Sequence, residues 1–192
     1  MFIERELAEH LETFTAFAAA LAAPFERTLT LWQGCLEAGG KLLLFGNGGS
    51  AGNAQHIAAE LAVRYERNRT ALAAVALSAD TLTLTAAAND FGFETIFSRQ
   101  LAALGRAGDV AVGLSTSGRS ANVLEGLREA RRRGLATSGL IGGDGGPMRE
   151  LCDAAIIVPS RVTARIQEMH LLVTHLLCKR LEAHYCAAAD RA

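Results

Sequence analysis

The sequence is short of most features that mark a specialised surface or compartment. Its 19 basic and 20 acidic side chains leave a formal net charge of −1. Displacing counterions from a polyanion needs an excess of Lys and Arg, so no nucleic acid is expected as a partner. No run approaches the ~20 consecutive apolar residues of a membrane-crossing helix, and no membrane is expected either. The start, MFIERELAEHLETF, mixes charge with apolar residues and lacks the basic opening and apolar stretch of a signal peptide. A cytoplasmic protein is the expectation. The four cysteines, Cys35, Cys152, Cys178 and Cys186, form no C-x-x-C pair and no zinc-finger spacing with a His. Unpaired thiols in a reducing compartment, acting as small hydrophobes, account for them. There are only three prolines, so rigid breaks are few, and no G-x-x-x-x-G-K-[ST] loop occurs to bind a triphosphate.

What is present is a core. Half of the 192 residues are apolar and 20% are charged, which excludes a disordered chain and suits one domain of ordinary size. Apolar residues recur at helical spacing over 3–23 (Leu7, Leu11, Phe14, Phe17, Leu21), a pattern that Pro24 should end. A second helix is expected over 25–37, stopping at Gly39–Gly40, so that residues 1–38 form a helical hairpin. Residues 39–192 then alternate strand and helix. Strands are expected at 41–45, 72–77, 109–115, 137–142 and 154–159. Helices are expected from the GNGGSAGN segment at 46–53 through about Tyr65, and over 80–88, 93–104, 121–133 and 163–187. Short runs that are apolar throughout, alternating with helices, predict a parallel sheet covered on both faces. The fold class is therefore α/β, five parallel strands in a doubly wound, flavodoxin-like layer, within a single domain over 1–192. The two leading helices carry more apolar surface than a chain of this size readily hides, which points to packing against another subunit.

Ligands of open parallel sheets bind at the carboxyl ends of the strands, and two loops there stand out. The first, Gly46-Asn47-Gly48-Gly49-Ser50, lets backbone N–H groups approach an anion at the start of a helix. It fits a dinucleotide fingerprint nominally, but no acidic residue ends the next strand, and a plain tight turn explains it as well. The second, Ser115-Thr116-Ser117-Gly118-Arg119-Ser120, offers four hydroxyls and another helix N-terminus, suited to a phosphate monoester. Ordinary helix capping is the plainer account of its Ser and Thr residues. His56 and Glu60 are four apart and share one helix face. Gln167 and His175, on the last helix, lie about 80° and ~12 Å apart, too far to bind one ion unless that helix starts late or bends, or the two serve different sites completed by a second subunit. Glu60 as base and His175 as acid, beside a phosphate site, suit the chemistry of an aldose–ketose isomerase.

Four segments together, GNGGSAGNAQHIAAEL, AANDFGFETIFSRQL, STSGRSANV and RIQEMHLLVTH, make the chain resemble the bacterial phosphoheptose isomerases of the sugar isomerase (SIS) fold over nearly its whole length. The resemblance implies conversion of D-sedoheptulose 7-phosphate to D-glycero-D-manno-heptose 7-phosphate, on the route to ADP-heptose and lipopolysaccharide. It implies a cytoplasmic homotetramer with intersubunit active sites and one Zn²⁺ per subunit. By the same resemblance, substrate contacts fall on Asn47, Gly48, Gly49, Glu60, Asn89, Asp90, Ser115, Thr116, Ser117, Ser120 and Gln167. The zinc ligands would be His56, Glu60, Gln167 and His175, with Glu60 and His175 also the acid–base pair. Two departures occur. No proline follows Arg67-Asn68-Arg69, and Arg119 stands where Asn is common, adding a positive charge near the phosphate. The alternative is a related group of the same fold that binds the replication initiator without isomerising heptoses. Its members tend to have replaced the residues that stand here as Glu60 and His175.

Overall fold

The computed structural model describes residues 1–189. The apolar runs form strands β1 (Leu42–Gly46), β2 (Ala74–Ala76), β3 (Val110–Ser115), β4 (Ala136–Gly142) and β5 (Ala154–Val158). They pair in parallel, in the order β2-β1-β3-β4-β5, with Leu43 opposite Ala111 and Leu114 opposite Leu140. Every residue of β1 and β3 is buried, as expected of central strands covered on both sides. β2 is shorter than its apolar run because it is an edge strand, pairing only with Leu42–Leu44.

Six α-helices sandwich the sheet: α1 (Phe2–Glu37), α2 (Gly49–Ala62), α3 (Thr81–Phe91), α4 (Ile96–Leu104), α5 (Ala121–Arg132) and α6 (Thr163–Ala189). Alternate strand residues divide the core in two. Leu42, Leu44, Val110, Val112 and Leu114 meet α1, α2 and α6, through Trp32, Ile57, Leu61, Val173 and Leu177. Leu43, Phe45 and Ala111 meet α3, α4 and α5, through Ala87, Phe97, Leu101, Val123 and Leu127. The expected α/β architecture is thus observed, with one correction at its N-terminus. There is no helical hairpin. α1 is one helix of 36 residues with Pro24 inside it. Proline removes a single backbone donor and strains one turn, whereas Phe17, Phe25, Leu29 and Trp32, buried on either side of it, hold the helix onto the sheet. The fully buried Trp32 donates its indole N–H to Ser138 Oγ at 3.1 Å, fastening α1 to β4.

The thiols behave as the sequence suggested: all four are free, and three are buried. Burial pushes Cys178 and Cys152 up to about 12 and Cys35 up to about 11, so they stay protonated. No helix among the described residues is long and apolar enough to cross a membrane.

Candidate active site

The strand order reverses direction between β1 and β3. From β1 the chain leaves through α2 on one face, and it enters β3 from α4 on the other. The loops that follow these two adjacent strands are the two singled out above, and they open onto the crevice where such sheets bind ligands. A reciprocal amide pair ties them together. Asn47 Nδ2 donates to Asn122 Oδ1, and Asn122 Nδ2 to Asn47 Oδ1, each at 2.8 Å. Asn122 is buried at the start of α5, and its partner, 75 residues away, carries no sequence signal of the contact.

Gly48 caps α2 at φ 53°. Gly49 is required for a different reason: a Cβ there would fall 2.5 Å from the side-chain amide of Gln167 on α6. The second loop is knitted by its own hydroxyls. Ser115 Oγ lies 3.1 Å from Ser120 Oγ and accepts the Gly118 N–H, while Ser117 Oγ accepts the N–H of Arg119. Thr116 and Ser117 line a cavity of about 320 Å³ together with Arg119, Gly143, Asp144 and Arg161. The loops after β4 and β5 therefore complete the pocket, which motif reading alone missed. Arg119 is held by Asp144, with Nη2 at 3.1 and 2.8 Å from the two carboxylate oxygens. The Gly146 N–H first, and then the Arg119 charge, hold the Asp144 carboxyl below the usual range.

α2 and α6 run side by side in the same direction, so Gly49 meets Gln167 and, two turns on, His56 meets His175. Asn53 reinforces the contact by donating to the Gln167 carbonyl at 3.1 Å. His56 Nε2 and His175 Nε2 are 2.8 Å apart, and Glu60 Oε1 is 3.4 Å from the same His56 nitrogen. The structure thus brings together His56, Glu60 and His175. Gln167 forms no hydrogen bond to them, because α6 begins at Thr163 and carries it two turns earlier. Asn89 and Asp90 are exposed at the end of α3. They bond to each other at 2.8 Å and to neither loop, and Asp90 lines a separate cavity with Thr83, Phe91 and Arg99.

Among the described residues, no group of three or more His, Cys, Asp or Glu side chains is arranged as a ready-made ion cage. The imidazole nitrogens that face one another explain this. Two nitrogens on a tetrahedral zinc at ~2.05 Å stand about 3.3 Å apart. At 2.8 Å the pair is a hydrogen bond, one ring donating and the other accepting. Both nitrogens could face one ion only if they separated by about half an ångström and the donating ring carried its proton on Nδ1 instead.

The SIS domain family matches residues 7–142. The phosphoheptose isomerase of Paramagnetospirillum magneticum is 58% identical over 182 residues, 95% of each chain. The chain belongs to the phosphoheptose isomerase family. Two solved structures agree. The phosphoheptose isomerase GmhA of Neisseria gonorrhoeae superposes with a TM-score of 0.89 at 43% identity, covering 94% of this chain and 97% of that one. That of Francisella tularensis gives 0.91 at 36%, covering 94% and 96%. These family members are named as isomerases, and they give the initiator-binding alternative no support.

Proposed function

We propose that the protein converts D-sedoheptulose 7-phosphate to D-glycero-D-manno-heptose 7-phosphate through an enediol. The observation that carries the reading is the meeting of Glu60, His56 and His175 on α2 and α6, the first of which opens from one of two loops stapled by Asn47 and Asn122, in a phosphoheptose isomerase fold. The hydroxyls and N–H groups of Ser115, Thr116, Ser117 and Ser120 take the phosphate at the N-terminus of α5. Asn47, Gly48, Gly49 and Gln167 border the sugar, and Asn89 and Asp90 are further substrate contacts. Glu60 removes a proton from C1 of the ketose while His175 gives one to the C2 oxygen, forming the enediol. The O1 proton then leaves to His175, and Glu60 returns its proton to C2, so that the aldose is formed with no net change of oxidation.

The donor set of His56, Glu60 and His175 would suit Zn²⁺, one ion per subunit; Gln167, two turns earlier on the unbroken α6, could supply a fourth ligand only from a neighbouring subunit. The ion, when bound, would polarise the substrate carbonyl as a Lewis acid. Assembly as a homotetramer fits the apolar face that α1 leaves uncovered, where Leu7 and Leu11 are 58% and 61% exposed. In this reading, residues 1–38 are the assembly arm of a single SIS domain. A cytoplasmic enzyme supplying ADP-heptose for lipopolysaccharide is the corresponding cellular role.

The test is NMR of sedoheptulose 7-phosphate with the protein in D₂O, before and after chelation and zinc return. Aldose phosphate carrying deuterium at C2 is the expected product, lost on chelation and regained with zinc. No conversion by folded, zinc-loaded protein would overturn the reading. Glu60→Gln keeps the side-chain volume but removes the base. It should lower kcat by about 10²–10⁴-fold while the circular dichroism is unchanged.

A further inference from the structure

Beyond the residues already assigned, α6 carries a second functional-looking side chain on the His175 stripe. Glu182 lies seven residues on, two turns along and within about 20° of the same line. It is 2% exposed, and a carboxylate so buried requires compensation. Three backbone N–H groups supply it, from Tyr65 at 3.0 Å, Glu66 at 2.9 Å and Arg67 at 2.8 Å. The Arg69 guanidinium adds its charge 4.0 Å away and donates to the Glu60 carbonyl at 2.7 Å. Burial alone would raise the Glu182 carboxyl, but these donors outweigh it and hold it below its ordinary range.

The segment pinned in this way has one ring on it. Tyr65 is half-buried and lies against His175, ring centroids 5.5 Å apart at an interplanar angle of 34°. His56 meets the same imidazole edge-on, at 5.0 Å and 62°. His56 thus fixes the direction of the His175 nitrogen, and Tyr65 restricts the plane of its ring.

We propose that Tyr65, anchored through Glu182, is a positioning residue for His175. The inference rests on His175 as half of the acid–base pair. Misplacing a catalytic group by an ångström costs up to about 100-fold in rate, with little effect on binding of the rest of the substrate. Tyr65→Leu removes the flat surface, whereas Tyr65→Phe keeps it and removes only the hydroxyl.

The experiment uses zinc-loaded wild type, Tyr65→Leu and Tyr65→Phe, with kcat and KM for sedoheptulose 7-phosphate and the NOEs between the His175 and His56 ring protons. These report distance, so the loss of an aromatic ring current does not by itself change them. Tyr65→Leu should lose about 10- to 100-fold in kcat, with KM within about twofold, and its His175–His56 NOEs should weaken. Tyr65→Phe should restore kcat and the wild-type NOEs. Unchanged kcat in Tyr65→Leu would overturn the proposal, as would a loss in Tyr65→Phe equal to that in Tyr65→Leu. If wild type itself does not turn the sugar over, the functional reading fails and the NOEs decide alone. Weakening in Leu but not Phe then supports the positioning, and identical NOEs in all three proteins overturn it.

Discussion

At the scale of single residues, the proposed phosphate end of the site holds an internal competition. Arg119 borders the pocket lined by Thr116 and Ser117, yet its guanidinium is paired with Asp144. A sugar phosphate entering this pocket meets a cation already shared with a carboxylate. Both side chains are more than half exposed, at 57% and 71%, so solvent screens the pair and its strength is modest. Arg119→Gln should therefore raise KM about 3- to 10-fold, close to 1 kcal/mol, and leave kcat within about twofold. Asp144→Asn retains the oxygen that accepts the Gly146 N–H and removes only the competing charge. It should lower KM for the same substrate. Steady-state kinetics of the two variants checks both signs, and an unaltered KM in Arg119→Gln would remove Arg119 from phosphate recognition.

At the scale of elements, close backbone approach decides which loop residues are replaceable. Gly118 has φ +65°, and a Cβ there would stand 2.2 Å from the Gly145 carbonyl oxygen in the loop after β4. Gly48 has a similar φ of +53° but meets nothing within 4 Å. Gly118→Ala should cost about 2–3 kcal/mol in urea unfolding, combining backbone strain with collision, and Gly48→Ala about 1 kcal/mol from strain alone. Equal costs would show that the two loops give way to each other. The same contrast between local and distant causes explains what could be read from the sequence. The strands were legible because β1 and β3, buried on both faces, must be apolar at every position. Pro24, a strong local signal, makes the sequence read as a hairpin, whereas the burial of Phe25, Leu29 and Trp32 that overrides it exists only in the folded chain. α2 ends at Ala62, short of Tyr65, because the N–H groups of residues 65–67 go to Glu182 instead of to helical carbonyls. His56 and Glu60 announced a shared face by their spacing. Asn122, Asp144 and Glu182 carry no such signal, since their partners are 75, 25 and 117 residues distant.

At the scale of the whole molecule, one buried group ties stability to pH. His170 on α6 is fully buried, and neither ring nitrogen has a partner within hydrogen-bonding geometry among the described residues. Burial pushes it down to about 4, opposed only by the nearby backbone of Ile141 on β4, which is not placed well enough to make a full hydrogen bond. Because its folded value lies below the unfolded value of 6.5, protons bind the unfolded chain more readily. Near pH 7.5 the group has no effect, and it destabilises the fold progressively as pH falls from 6.5 toward 4. Between pH 7 and 4.5 the loss amounts to about 2 kcal/mol. The depressed Glu182 carboxyl acts in the same direction but only in more acid solution, as pH drops below the ordinary carboxylate value of 4.5 toward its folded value. The two groups therefore occupy separable windows. His170→Leu substitutes an apolar side chain of similar size and removes two unpaired buried nitrogens. It should abolish the upper window and leave the lower one. Urea midpoints at pH 7.5, 6, 5 and 4.5 test this, because other titrating groups contribute equally to both proteins and cancel in the difference. Wild type and variant should diverge by about 2 kcal/mol over that range, and parallel curves would mean that His170 is protonated without opening the interface between α6 and the sheet.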